Sequence, residues 1–165
     1  MYNMPSHQLH STPSAGLPKD TFADSQVYDL LIDALESLPM KEVMTVVVKS
    51  AGTDEYSAAI DTLMAAAAGK GVRLTLCESD GTAKFDSNKS AAFMKDPLNR
   101  GTPIHENFAT RSVVRWALDS EEHIVDFEQK FSNSVGKQQT YAGVRLGLNK
   151  RKSIGAIRVS VNAYF

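Results

Sequence analysis

The sequence predicts an α+β fold in which helices come first and an antiparallel sheet of about five strands follows. Apolar residues recur at helical spacing between Thr21 and Ala68, then switch to alternation after Gly71, and return in three longer alternating runs toward the C-terminus. The turns joining those last runs are short, so sequential strands are expected to pair antiparallel. A chain of 165 residues with 42% hydrophobic and 22% charged content is enough for one ordinary core and too short for two. Residues 1–20 are therefore expected to form a flexible leader and residues 21–165 a single domain.

The leader carries Pro5, Pro13 and Pro18 among Ser, Thr and His, with nothing periodic to bury. Val27, Leu30, Leu31, Ala34, Leu35 and Leu38 then make a helical stripe, with Asp20 and Asp24 near its start and Pro39 preventing simple continuation. Val43, Val46, Val47 and Val48 fit either a short strand or a buried helical turn, so residues 40–50 stay open, with helix preferred. Asp54 to Ala68 places Tyr56, Ala59, Ile60, Leu63, Met64 and Ala67 on one helical face, with Gly69 as its expected end. Val72, Leu74 and Leu76 alternate with Arg73, Thr75 and Cys77; Ser79-Asp80-Gly81 turns, and Thr82 to Asp86 returns as the second strand of a hairpin. Ser87 to Asn107, with Pro97, Gly101 and Pro103, reads as a long binding loop or lid. A short helix at Phe108 to Leu118, capped near Thr110, buries Val113, Val114, Ala117 and part of Trp116. Strands follow at about His123 to Phe131, Gln139 to Leu148 and Ser153 to Ala163.

Composition limits the partners. A net charge of −1 supplies no field that would draw nucleic acid or an anionic membrane surface. The single cysteine, Cys77, excludes an intramolecular disulfide and a multi-cysteine zinc site. No run approaches the roughly 18 apolar residues of a membrane span, and the N-terminus lacks a signal-peptide core. A soluble chain is expected, the cytoplasm being favoured over an excised extracytoplasmic domain. The four histidines, His7, His10, His105 and His123, lack metal-site spacing, and no metal or cofactor is expected. Cys77 on a central strand reads as a buried, inert thiol rather than a nucleophile. No constellation meets the needs of an enzyme.

Several motifs carry a family likeness. Leu74-Thr75-Leu76-Cys77-Glu78-Ser79-Asp80-Gly81-Thr82-Ala83-Lys84-Phe85-Asp86-Ser87 resembles the opening hairpin of Cache domains, the PAS-like sensor modules of histidine kinases and chemoreceptors. Asn107 to Leu118 resembles the Asn-His-x-x-Arg-Pro-Glu-Val-x-x-Ala-Leu helix of those modules, with Phe108 in place of His and Ser112-Val113 in place of Pro-Glu. Phe131 to Lys137 with Tyr141-Ala142 is similar to their turn and following strand, and Ile154 to Val161 to their last strand. The resemblance implies a PAS/Cache-like central antiparallel sheet with a long N-terminal helix behind it. It also implies a small-molecule pocket between the sheet and a side built from the short helix and the long loop.

The candidate ligand-binding residues are Arg111, Tyr141, Arg145, Trp116, Asp86, His105, Arg73 and Arg158. Arg73, Arg145 and Arg158 alternate with apolar residues on three strands; if those strands are neighbours, the guanidiniums share a face and can offer forked hydrogen bonds to a carboxylate or phosphate. The alternative is a solvated outer face with salt bridges. Arg111 and Arg115, beside Trp116, read as an anion clamp under the loop, or as one arginine pinning the loop to Asp86 or Asp96. Tyr141 shares the Arg145 side of its strand and offers a hydroxyl, and His105 lies in the loop. The function expected is a noncatalytic sensor domain binding a small anionic metabolite such as a carboxylate, and signalling through its N-terminal helix. The alternative is a pocketless PAS-like interaction or dimerisation module, its cavity filled by Phe93, Phe108 and Trp116. The apolar stripe of the first helix also suggests a homodimer.

Overall fold

The computed structural model describes residues 7–9, 24–98, 107–108, 112–120, 125–132, 136–149 and 152–161. Five strands of it are antiparallel, as their alternation requires: β2 (Val72–Glu78), β3 (Ala83–Asp86), β4 (Val125–Ser132), β5 (Lys137–Asn149) and β6 (Lys152–Val161). A sixth, β1 (His7–Leu9), lies within the segment expected to be a flexible leader and pairs parallel with β4. The sheet order is β1-β4-β5-β6-β2-β3. Non-consecutive strands adjoin twice, where β1 lies beside β4 and where β6 returns beside β2. That return makes β5, β6 and β2 the centre of the sheet.

One face of the sheet is apolar. Val72, Leu74, Leu76, Phe85, Val125, Phe127, Ala142, Val144, Leu146, Ile157 and Val159 are buried there in a single cluster with three helices. These are α1 (Asp24–Glu36), α2 (Met40–Val48) and α3 (Asp54–Lys70). The valine-rich stretch at 40–50 is thus a helix: Val43, Val46 and Val47 bury on the side turned to the core, and tertiary packing outweighs their β-branching. The N-terminal helical side is divided by Pro39, which stands at the N-cap of α2. In α3, the Thr53 hydroxyl caps the first turn by accepting from the Tyr56 N–H at 3.1 Å. Its C-terminus falls at Gly71 rather than Gly69. Gly71 has φ +66°, the left-handed geometry that closes a helix, whereas Gly69 stays helical.

The stripe that suggested a homodimer is used within the chain, since Leu31, Ala34, Leu35 and Leu38 are all buried in the same core. The Tyr28 ring packs on Phe127, 4.4 Å between centroids, and fixes α1 against β4. Among the described residues no helix is long and apolar enough to cross a membrane.

Two short helices complete the described fold. α4 (Ala91–Lys95) falls inside the stretch read as a loop; Ser90 caps it, and its Met94 is buried. α5 (Ser112–Asp119) lies on the other face of the sheet, where Val113, Val114 and Ala117 form a second cluster with Cys77, Ala83, Phe108, Tyr141 and Ala156. Residues 133–135 of the expected turn, the Thr110 cap and residues 99–106 of the long loop fall outside the described residues.

Candidate ligand-binding site

Side chains that alternate with the apolar set project toward α5, and the register places them in transverse rows. In antiparallel pairs, directly opposed residues share a face. Asp126 opposes Gly143, Gly143 opposes Arg158, Arg158 opposes Thr75 and Thr75 opposes Asp86, so one row crosses the sheet from β4 to β3. The next row runs Glu128, Tyr141, Ser160, Arg73. On the other side Arg145, Ala156, Cys77 and Ala83 form a third. The β4 flank of this face is acidic; its β6 and β2 centre is basic.

The three strand arginines do share a face, because β5, β6 and β2 are neighbours. Their environments differ. Arg73 donates from Nε to Asp86 Oδ1 at 3.1 Å and from a terminal nitrogen to Oδ2 at 2.7 Å, a forked pair whose arginine is 26% exposed. Asp86 Oδ1 also accepts from the Asn88 N–H at 3.0 Å. Asp86, read as a ligand contact or as the loop anchor of a helix arginine, is engaged here by Arg73. Arg145 is among the largest fully buried side chains. It is not on a solvated outer face.

Arg158 is 6% exposed, and its guanidinium carbon stands 4.7 Å from the Phe108 ring centroid and 4.9 Å from that of Tyr141. Cation–π contact of this kind offsets part of the desolvation of the charge. Among the described residues, its guanidinium makes no hydrogen bond or ion pair. Burial, then the like charge of Arg73, pushes its pKa below the usual arginine value; Tyr141, Cys77 and Asp86 act in the opposite direction.

Two backbone features build the cover above Arg158. Gly143 lies under α5: a Cβ there would stand 2.9 Å from the Val113 carbonyl oxygen and 3.1 Å from its methyl groups. The helix therefore rests directly on the sheet beside Arg158. Phe108 is held by the β2–β3 turn. Its N–H donates to the Gly81 carbonyl at 2.7 Å, and the Asn107 side-chain amide donates to the Asp80 carbonyl at 3.0 Å. That turn is in turn fixed by Gly81 at φ +87° and by the Asp80 carboxylate, which accepts from the Thr82 N–H at 2.8 Å. The same bond holds the Asp80 carboxyl below its ordinary pKa.

Of the residues singled out in the sequence, Arg73, Asp86, Tyr141, Arg145 and Arg158 lie together on this face, with Trp116 half-buried in the α5 cluster beside it. Arg111 and His105 fall outside the described residues. Phe93 packs against the opposite, helical core and takes no part. Sequence reasoning missed Thr75. It is 1% exposed, and its Oγ1 has no hydrogen-bond partner. Its only signal was a hydroxyl between Leu74 and Leu76, in step with Arg73 and Cys77. Cys77 itself is fully buried, and burial pushes its thiol up to about 12, so it stays protonated near neutrality. Among the described residues no cluster of three or more potential metal ligands occurs.

No family model matches the chain, and no curated protein matches it. Among solved structures it is similar to the sensory domain of the Campylobacter jejuni chemoreceptor Tlp3 (CcmL) with isoleucine bound, at 13% identity and a TM-score of 0.44, over 83% of this chain and 49% of that one. It is also similar to the ligand-binding domain of the same chemoreceptor in complex with L-valine, at 15% identity and a TM-score of 0.45, over 83% and 50%. The chain spans about half the length of these structures.

Proposed function

We propose that this chain is a noncatalytic sensor domain that binds a small carboxylate on the α5-covered face of its sheet, with Arg158 as the principal anion contact. The observation that carries this reading is the Arg158 guanidinium, buried with aromatic neighbours but without an acceptor among the described residues. Retaining a desolvated charge in that state costs several kcal/mol by order of magnitude, which an anion with forked hydrogen bonds would offset. Arg73, already paired with Asp86, adds no second uncommitted charge, which favours a singly charged carboxylate over a phosphate dianion.

Access requires the Phe108 cover to move, and the hydrogen bonds joining Asn107 and Phe108 to the Asp80-Gly81 turn are what ligand binding would remake. Output passes through β6. Arg158 lies on one face of that strand, and Ile157 and Val159 on the other, in the cluster that holds Leu31 and Leu35 of α1. A shift of β6 therefore meets the N-terminal helix directly, giving a ligand two packings to discriminate.

The test is a thermal-shift titration with acetate, propionate and inorganic phosphate at pH 7. A carboxylate at a hundredfold excess over its Kd stabilises the fold by about 2.7 kcal/mol. A saturable rise with a carboxylate that is lost in a folded Arg158→Met variant is expected; no rise with any of the three, or one that persists in the variant, refutes the reading. A pocketless interaction module is the second reading, favoured by one observation: Phe108 and Trp116 both pack in the α5 cluster, Phe108 directly on Arg158. It predicts no shift with small anions and a stable dimer in solution.

A further inference from the structure

The anion reading leaves one buried group unused. Thr75 stands directly opposite Arg158 in the β2–β6 ladder and directly opposite Asp86 in the β2–β3 ladder. Its side chain is 99% buried by the exposure above, and its hydroxyl has no partner. Native proteins pair nearly all such groups, because a buried hydroxyl without a partner is destabilising. A valine of the same shape would fill this central-strand position without that cost. An unpaired hydroxyl kept beside an uncommitted guanidinium has the character of a recognition group.

The neighbours of Thr75 on its face do not serve it. Asp86 is engaged by Arg73 and by the Asn88 N–H. Cys77, two residues along, is a protonated thiol and a weak hydrogen-bonding group. The Arg158 side chain offers donors, which a hydroxyl oxygen can accept, but none of them bonds Thr75 Oγ1. Opposed residues in an antiparallel pair have Cβ atoms about 5 Å apart. A carboxylate held by the Arg158 fork therefore brings the substituent on its adjacent carbon toward the Thr75 hydroxyl before any more distant atom.

Resting on the carboxylate reading above, we propose that Thr75 is a specificity-determining residue that selects carboxylates bearing a hydrogen-bonding substituent on the carbon next to the carboxyl group. Arg158 supplies the attraction for the charge, and Thr75 distinguishes a polar substituent from an apolar one of equal size. Apolar analogues leave the hydroxyl unpaired in the complex and bind more weakly.

The experiment pairs two isosteric changes. Native protein and Thr75→Val are each titrated by calorimetry with 2-hydroxypropanoate and 2-methylpropanoate, which differ as a hydroxyl differs from a methyl, as Thr differs from Val. Native protein is expected to prefer the hydroxy acid by about tenfold, and Thr75→Val to lose or reverse that preference. A preference that changes by less than about twofold between the two proteins overturns the role of Thr75 while leaving the anion site standing. If native protein binds neither acid, the anion reading and this inference fall together. Loss of both acids in a folded Arg158→Met variant, against selective loss of preference in Thr75→Val, separates the two contributions.

Discussion

Replacing Thr75 by valine is expected to stabilise the protein. The side chain is 1% exposed on a central strand, flanked by β6 and β3, and Oγ1 has no partner. A buried hydroxyl left unpaired costs about 1–3 kcal/mol relative to an apolar group of the same shape. Valine retains the volume, so no cavity opens, and it suits a buried position on a pleated central strand at least as well. For a domain of this size each kcal/mol moves Tm by about 2–4 °C, so the rise should be roughly 2–12 °C in the absence of added acids. Urea unfolding at pH 7 gives the same comparison as a change in midpoint with an unchanged slope. Thr75→Ser, which keeps the hydroxyl and removes the methyl, should be less stable than native. A Thr75→Val variant destabilised by more than about 1 kcal/mol would mean that the hydroxyl is paired in the fold, and the reasoning would fail.

Other substitutions test the frame around that position. Asp86→Asn removes the charge that holds Arg73 and should cost about 2 kcal/mol, less than a fully buried pair because Arg73 keeps 26% exposure; denaturant midpoints measure it. Gly155→Ala drives a Cβ into the Cys77 carbonyl of the neighbouring strand and should cost about 3 kcal/mol, whereas Gly143→Ala presses on α5 and should cost about 1–2 kcal/mol while weakening carboxylate binding. Stability should hold up to about pH 9 and fall between pH 9 and 12, because burial raises Cys77 from 9.0 to about 12 and Tyr56 from 10.0 to about 12. Both groups lose their protons in the unfolded chain first, so rising pH favours unfolding; Cys77→Ala should shallow the decline. A native protein whose single thiol reacts with iodoacetamide at pH 8 as fast as the urea-unfolded chain would contradict that burial.

The strands were legible because their alternation reports which side of a sheet is dry. Leu74, Leu76, Ile157 and Val159 announced the core face, and Arg73, Thr75 and Arg158 the other. The helix at Asp54 to Lys70 was legible from its stripe, although its end was misplaced by two residues: Gly69 and Gly71 look alike until the backbone shows which one takes a left-handed φ. Residues 40–50 were ambiguous because four valines fit a strand and a buried helix equally, and only the packing of α2 on α3 and the sheet decides. His7–Leu9 carries too little apolar pattern to be recognised; its strand exists through pairing with β4, a contact 118 residues away in sequence (125 minus 7).

The sequence by itself determined the α+β class, the five antiparallel strands, the residues on each face and the burial of Cys77, because these depend on local period and polarity. Tertiary structure decided which strands adjoin, and so which charges meet. Placing β6 beside β2 sets Arg158 opposite Thr75 and leaves Arg73 to pair with Asp86. Bringing Phe108 back onto the β2–β3 turn covers the guanidinium with an aromatic ring. None of these neighbours is close in the chain, and a side chain's partners depend on distance in space, which no local pattern of residues encodes.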